Sequence, residues 1–316
     1  MRNARSFLGV LVISFVLALP LVFSAQPSWS QTNNATPATP SPVASAPTPT
    51  AQTPLNLKII ATKGHAEITF GELTDQLMQN GIVCVGEDHD SLVHHRIQRQ
   101  IIAALFARDE RLGVGMEMFQ KPFQRDIDWY IDGQISEDVF LRLTEYKQRW
   151  GWDYSLYRPI VDFARNNKIP LAGLNAPKEL TARIMKVGED GLTAEEKQEM
   201  GPVEFNVAAH RNYWFSQLGP IHGNHQLTQD EKERFYEAMA VWDDYMAQSA
   251  ASFIKERHLA RLVILAGAGH VDLGFGIPDR AAKYASTSVA KIHIVIGADE
   301  TDDATFGADY VIHVLP

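Results

Sequence analysis

The amino-acid sequence predicts an α/β fold, with a largely parallel sheet, helices on both faces and a helical insertion. Four apolar runs have the length of strands. Continuous apolar runs of this length are typical of strands buried on both faces of a parallel sheet. Helical patterns separate the runs, which indicates βαβ units. The four runs are residues 82–85, 112–116, 169–174 and 262–268.

The first 30 residues predict a signal peptide. Arg2 and Arg5 precede an uncharged apolar run over residues 7–23, and the small residue Ser30 suits cleavage before Gln31. An uncleaved membrane anchor is the alternative, because the run is nearly long enough to cross a bilayer. We therefore expect an exported protein that is periplasmic or membrane-associated.

Residues 31–54 predict a flexible linker. This stretch is uncharged and rich in Pro, Thr and Ala, so it cannot bury enough apolar surface to offset the entropy lost on ordering. Residues 55–316 then have a length within the range of one α/β domain. Inside this domain, residues 178–257 are the predicted helical insertion.

Charge and cysteine content exclude several classes of protein. The formal charge is −9 at pH 7, and it becomes −11 once residues 1–30, with two Arg and no acid, are removed. A basic nucleic-acid footprint is therefore excluded. The single cysteine, Cys84, lies in the first apolar run, which predicts a packed core thiol and allows no internal disulfide. No cysteine lies next to the signal segment to carry a lipid.

The predicted elements alternate along the chain. The helix over residues 91–108 is a typical case, because its apolar residues recur at four-residue steps on one face. In order, the predicted elements are strands at 57–61 and 66–69, a helix at 70–80, the strand at 82, the helix at 91–108, the strand at 112, helical segments over 121–150 and 157–167, the strand at 169, helices at 178–187 and over 202–257, and strands at 262–267, 291–296 and 310–315.

Each of the four apolar runs is followed by a polar residue that could bind a ligand or take part in catalysis. Glu87 and His89 follow the first run, Glu117 the second, Asn175 the third and His270 the fourth. In open α/β sheets, ligands bind outside the carboxyl ends of the strands. We therefore predict that these side chains meet in one crevice. The alternative for the first group is a carboxylate and an imidazole satisfied by the amides of the following helix.

Two imidazoles with a carboxylate suit a divalent metal such as zinc, manganese or cobalt. The predicted metal ligands are His89, His270 and Glu117. A bound metal lowers the pKa of its water, and a spare carboxylate can act as general base. Glu87, His89, Glu117 and His270 are therefore the predicted catalytic residues of a metal-dependent hydrolase acting on an ester or a peptide bond.

Two further groups of residues are candidates for ligand binding. Arginines and aromatic residues concentrate over 149–158, which suits a flat anionic ligand, with ordinary helix packing as the alternative. The insertion carries His210 and Tyr213, followed by His222 and His225. Surface histidines are the alternative interpretation of this second group.

The sequence resembles the ChaN family of bacterial exported proteins associated with haem and iron uptake. The resemblance covers residues 62–312. The ChaN family belongs to a superfamily that it shares with Tiki-type proteases and erythromycin esterases. The motifs that carry it are Gly-Glu-Asp-His-Asp (86–90), His-His-Arg-Ile-Gln (94–98), Gly-Met-Glu-Met-Phe (115–119), Leu-Asn-Ala-Pro (174–177), Val-Trp-Asp-Asp-Tyr-Met-Ala (241–247) and Gly-Ala-Gly-His (267–270).

The resemblance implies an α/β fold and haem as the cofactor, with two haems between two protomers and each iron bound by a Tyr near a His. The candidate haem-binding residues are Tyr213, His210 and His222. The implied partners are a second copy of the chain, in a homodimer, and the outer-membrane uptake machinery. The usual family member is a lipoprotein, and this chain lacks the cysteine that would carry the lipid.

The leading prediction is therefore an exported haem-binding protein involved in haem or iron uptake or handling. The wider superfamily implies the alternative, hydrolysis by Glu87, His89, Glu117 and His270. These two interpretations place function at different sites.

Overall fold

The structure, a computed structural model, describes residues 54–218, 227–297 and 303–316. Within these residues the strands are β1 (Asn56–Ala61), β2 (Ala66–Ile68), β3 (Ile82–Glu87), β4 (Leu112–Gln120), β5 (Leu171–Asn175), β6 (Arg261–Gly267), β7 (Val289–Ile296) and β8 (Tyr310–Leu315). They form one sheet in the order β2-β1-β8-β7-β3-β6-β4-β5. Strands β3 to β8 run parallel, and β1 is antiparallel to both of its neighbours. The predicted α/β class with a largely parallel sheet is confirmed.

The helices alternate with the strands. In the same residues they are α1 (Phe70–Leu77), α2 (Leu92–Phe106), α3 (Gln124–Ile131), α4 (Glu137–Leu143), α5 (Tyr146–Arg149), α6 (Arg158–Asn167), α7 (Lys178–Val187), α8 (Ala194–Met200), α9 (Ala208–Gln217), α10 (Gln229–Glu256), α11 (Ala268–Val271) and α12 (Ile277–Ala285). Short 3-10 helices occupy Lys121–Phe123, Tyr154–Leu156 and Asp303–Phe306. No described helix is both long enough and apolar enough to cross a membrane.

Helices cover both faces of the sheet. Successive side chains of a strand point to opposite faces, so β3 contributes to a different core on each side. Val83 and Val85 of β3 pack into a core that includes Ile97 of α2. Cys84 packs into a second core with Met246 of α10. Burial raises the pKa of the Cys84 thiol, as expected for a packed core residue.

The strand order brings three carboxyl ends together. Strand β6 lies between β3 and β4, although it follows them by more than 140 residues. Leu265 of β6 pairs with Val85 on one side and with Met116 on the other. The carboxyl ends of β3, β4 and β6 are therefore in register and lie side by side.

Two segments differ in detail from the sequence expectation. Residues 121–150 form α3, α4 and α5 rather than one helical stretch. Gly133 and Glu145 interrupt it with positive φ angles of 79° and 49°, and Ser136 caps the start of α4. Strand β4 continues past Glu117 to Gln120, with an irregular register against β5.

The predicted insertion lies between β5 and β6. Its described residues hold α7 to α10 and no strand. The longest of these helices, α10, begins with a capping box in which Thr228 and Glu231 each bond the other's backbone N–H. Helix α10 packs on β5 and α12, so it brings its side chains close to the central strands.

Candidate functional site

The predicted strand-end residues lie together at the carboxyl ends of β3, β4 and β6. Glu87 is the last residue of β3, Glu117 lies in β4, and His270 lies in α11 directly after β6. His89 follows Glu87 in the turn before α2. We call this set of four residues the crevice. The geometric expectation that they share one edge of the sheet holds.

Glu87 is buried and its carboxylate is fully engaged. Its Oε1 accepts from the Tyr157 hydroxyl at 2.7 Å and lies 2.9 Å from His89 Nδ1. Its Oε2 accepts from Gln98 Nε2 at 2.8 Å and lies 3.3 Å from His95 Nε2. The alternative in which helix amides satisfy this carboxylate is wrong, since side chains hold it.

The electrostatics of Glu87 follow from these contacts. Burial raises the pKa of a carboxyl group, but hydrogen bonds with His89 and His95 outweigh burial and lower the pKa of Glu87 to about 2. Glu87 is therefore a carboxylate at neutral pH.

His89 is oriented by its bond to Glu87. Because Nδ1 faces Glu87, Nε2 points towards the backbone of Gly267, where a Cβ would lie only 3.0 Å from it. Glycine at 267 is needed for this close approach. The imidazole lies beside the rings of Trp150 and Trp152, with centroids 4.8 and 5.9 Å away. Burial lowers the pKa of His89, but Glu87 and Glu117 together raise it above its ordinary value.

Glu117 lies between the two imidazoles of the crevice. Its Oε2 accepts from the backbone N–H of Gly267 at 2.8 Å, and its Oε1 lies 3.6 Å from His270 Nε2. A Cβ at Gly267 would lie 3.7 Å from Glu117 Oε2. Asn175 braces the same segment, because its amide donates to the backbone oxygen of Glu117 at 2.8 Å.

His270 is bound by a carboxylate that the sequence analysis did not single out. Its Nδ1 lies 2.7 Å from Oδ1 of Asp243 in α10. Burial lowers the pKa of His270, but attraction to Asp243 and Glu117 raises it to about 9. The rings of Trp214 and Trp242 lie 5.3 and 5.4 Å from the imidazole. His270 is thus held in place and is cationic at neutral pH.

Asp243 also contacts α9. Its second oxygen, Oδ2, lies 2.8 Å from Nε2 of His210 in α9. Burial raises the pKa of Asp243, but the two imidazoles lower it well below its ordinary value. The sequence offered one signal for Asp243, its place in the motif at 241–247. Gln98 lies in the motif at 94–98 and Tyr157 in the aromatic segment at 149–158, but neither pattern predicted contact with Glu87, which lies 11 and 70 residues away.

The candidate haem ligands fall in different environments. Tyr213 is partly buried, and its hydroxyl lies 3.1 Å from the position of a Cβ on Gly269. His210 is buried, with Nε2 at Asp243 and Nδ1 3.3 Å from Arg280 Nη2. His222 lies outside the described residues. Tyr213 thus lies next to the segment that ends on His270.

The predicted metal ligands do not form a metal site in the described residues, where no group of three or more His, Cys, Asp or Glu side chains is arranged to hold an ion. His89, Glu117 and His270 lie close together, but one oxygen of Glu117 accepts from the backbone of Gly267 and the other faces His270. Within the described residues these donors are held by Glu87, Gly267 and Asp243.

The fold and site define an α/β protein whose functional groups lie at the carboxyl ends of its central parallel strands. Residues 73–281 match the model of the family described as haem-binding uptake, Tiki superfamily, ChaN. The chain belongs to this family, which confirms the resemblance found in the sequence motifs. No curated protein matches the sequence.

Solved structures with a similar fold include one described as cofacial heme binding to ChaN of Campylobacter jejuni. It is 18% identical, has a TM-score of 0.66, and the match covers 82% of this chain and 98% of that chain. The type III effector HopBA1 is 13% identical with a TM-score of 0.48, over 77% and 91% of the two chains. A mutant of the erythromycin esterase EreC is 14% identical with a TM-score of 0.43, over 83% of each chain.

Proposed function

We propose that this protein binds haem and acts in haem or iron uptake after export. The observation that carries the proposal is the family match over residues 73–281. The solved ChaN structure, whose description names cofacial heme binding, supports the same function through its similar fold.

Tyr213 is the haem ligand that the geometry favours over His210. Haem supplies an iron that takes an axial ligand from the protein, and tyrosine is one of the ligands that haem iron accepts. No hydrogen bond of the described residues uses the Tyr213 hydroxyl, since Tyr213 accepts from Ser216 through its backbone oxygen and meets Trp214 through its ring. Both nitrogens of His210, in contrast, already face Asp243 and Arg280.

The test of haem binding is a titration of the purified protein with hemin, followed by absorption in the Soret region. The wild-type protein should give a saturable shift, and Tyr213→Phe should weaken binding at least tenfold, about 1.4 kcal/mol. Tyr310→Phe is the matched control, because Tyr310 lies in β8, two strands away from β3, and its hydroxyl donates to Gln76 Oε1 of α1 at 3.0 Å. No shift with the wild-type protein would refute haem binding, whereas equal shifts for both variants would refute only the role of Tyr213.

The proposal includes export by residues 1–30 and a homodimer that holds two haems between its protomers, in contact with outer-membrane uptake machinery. Deletion of residues 1–30 should keep the protein in the cytoplasm of an expressing bacterium, and cell fractionation measures this. Light scattering should show a dimer in the presence of hemin, with one haem per protomer. A monomer at saturating hemin would contradict the arrangement between two protomers.

A second candidate function is hydrolysis of an ester or peptide bond in the crevice. The convergence of His89, Glu117 and His270 favours it, because two oriented imidazoles around a carboxylate suit general acid–base work. Glu87 and Asp243 would hold the imidazoles in place through Nδ1, which leaves both Nε2 atoms for a substrate.

Turnover of ester and peptide libraries by the wild-type protein, with metal analysis of the same sample, tests this candidate. His89→Ala and His270→Ala should each abolish any activity found. Glu110→Gln is the control, since Glu110 is exposed just before the amino end of β4. Turnover that is absent, or that survives both histidine changes, would remove hydrolysis from consideration.

A further inference from the structure

Asp243 is a fully buried carboxylate with one imidazole on each oxygen. Its Oδ1 lies 2.7 Å from His270 Nδ1 and its Oδ2 lies 2.8 Å from His210 Nε2. His270 belongs to the crevice, whereas His210 belongs to α9. We propose that Asp243 is a positioning residue that couples α9, the helix carrying Tyr213, to the crevice, so that a change at one reaches the other.

Helix α9 uses this contact as one of its buried anchors. Its only buried residues are His210 and Trp214, and its N-cap residue, Val207, has no side chain that could bond the first amides. The Trp214 ring packs beside His270 and His210, with ring centroids 5.3 and 6.3 Å away. Both buried anchors of the helix thus meet the Asp243–His270 pair.

The contacts on the other face of α9 are more exposed. Arg211 forms an ion pair with Glu233 and lies over the ring of Tyr236. An ion pair in this position is worth little, because water screens it. The buried polar contacts, in contrast, are costly to break, since each leaves a donor or acceptor without a partner.

The coupling has a direct physical path. Asp243 fixes the ring plane of His270, and with it the direction of His270 Nε2 towards Glu117. The same carboxylate fixes His210, and Tyr213 follows three residues later in α9. Loss of the Asp243 carboxylate should therefore destabilise α9 and also free the His270 ring to rotate. The part of this inference that concerns Tyr213 rests on the proposed haem function.

Asp243→Asn is the test, and Asp126→Asn is its control. Asparagine offers one acceptor oxygen where two imidazoles need one each. Asp126 is also a buried aspartate, but it lies in the first turn of α3 and its ion pair is with Arg125 at 3.8 Å. The control therefore removes a buried carboxylate while leaving both imidazoles on Asp243.

Hydrogen–deuterium exchange of the haem-free protein gives the first measurement. Asp243→Asn should speed exchange over residues 208–217 by at least tenfold, and His270→Asn in the crevice should speed it over the same residues. Asp126→Asn should leave this segment close to the wild-type rate. Equal exchange over 208–217 in the two aspartate variants, or no effect of His270→Asn, would overturn the coupling whether or not the protein binds haem.

Hemin titration of the same variants gives the second measurement. Asp243→Asn should weaken hemin binding at least tenfold and change the absorption spectrum of the complex. Asp126→Asn should keep the affinity within about threefold of the wild-type value and leave the spectrum unchanged. The double variant Asp243→Asn/His270→Asn should be no weaker than the poorer single variant, because both changes break one path. Additive losses would overturn the coupling, and absent hemin binding in the wild-type protein would refute only the haem function.

Discussion

At the scale of single residues, the crevice consists of buried charged side chains, each of which is stabilised by a partner of opposite charge. Glu87 and Asp243 hold the imidazoles of His89 and His270, and Glu117 lies between them. Such charges are expensive to bury alone, so each depends on its partner. This dependence leads to two predictions.

Glu87→Gln should destabilise the protein strongly although it keeps the shape of the side chain. The change leaves His89, His95 and Tyr157 without their anionic partner, and breaking a buried pair costs about 3–5 kcal/mol. Urea unfolding measures the loss. The exposed Glu110→Gln should stay within about 0.5 kcal/mol of the wild-type protein. Equal effects of the two changes would contradict the account of Glu87.

The raised pKa of His270 makes stability depend on alkaline pH. Burial lowers this pKa, but Asp243 and Glu117 raise it to about 9, above the ordinary value of 6.5. The contribution of the protonated imidazole is therefore complete below pH 6.5 and is lost as the pH rises through 9. The free energy of unfolding should fall by about 3 kcal/mol over this window. His270→Gln should remove this fall, and an unchanged fall would contradict the assignment.

At the scale of elements, the crevice requires that β6 and the turn after β3 approach each other closely. Glycine at 267 permits this, because any Cβ there would lie 2.9 Å from His89 Cε1. The bulged end of β4 then brings the Glu117 carboxylate to the backbone of the same glycine. The position of a strand end thus depends on the absence of one side chain.

Gly267→Ala should therefore displace His89 and destabilise the protein by about 1–3 kcal/mol, the usual cost of overpacking. Gly71→Ala is the opposite control. Gly71 lies in α1, where a Cβ has room at 3.8 Å, so alanine should stabilise the protein by about 0.5–1 kcal/mol. Thermal unfolding of both variants measures the difference. A neutral Gly267→Ala would show that His89 does not depend on this contact.

At the scale of the whole molecule, the folded unit predicted from the sequence is residues 55–316. The sheet includes β1, which pairs with β8 and buries Ile59 and Ile60. The antiparallel edge of the sheet is therefore part of the hydrophobic core.

A chain that begins at residue 55 should keep the full free energy of unfolding and the full hemin affinity. A chain that begins at residue 70 should lose several kcal/mol, because it lacks β1 and β2 and exposes β8, and burial of Ile59 and Ile60 alone is worth about 3–6 kcal/mol. Denaturant unfolding measures both. A loss of stability on removing residues 1–54 would contradict the predicted boundary.

The sequence by itself determined the local structure and the chemistry of the strand ends. The apolar runs specified the central strands, and Glu87, His89, Glu117 and His270 were identified because they follow or lie in those strands. Periodicity and burial act over a few residues, so they can be read along the chain. The same patterns did not show the breaks within residues 121–150, which depend on single φ angles.

Only the tertiary structure decided what lies beside these residues. Strand β6 enters between β3 and β4, and α10 then places Asp243 against His270 while α9 places Tyr213 over Gly269. These contacts join residues that are 27 or more positions apart. They follow from the packing of whole elements, because no local preference of a residue specifies which distant side chain it will meet.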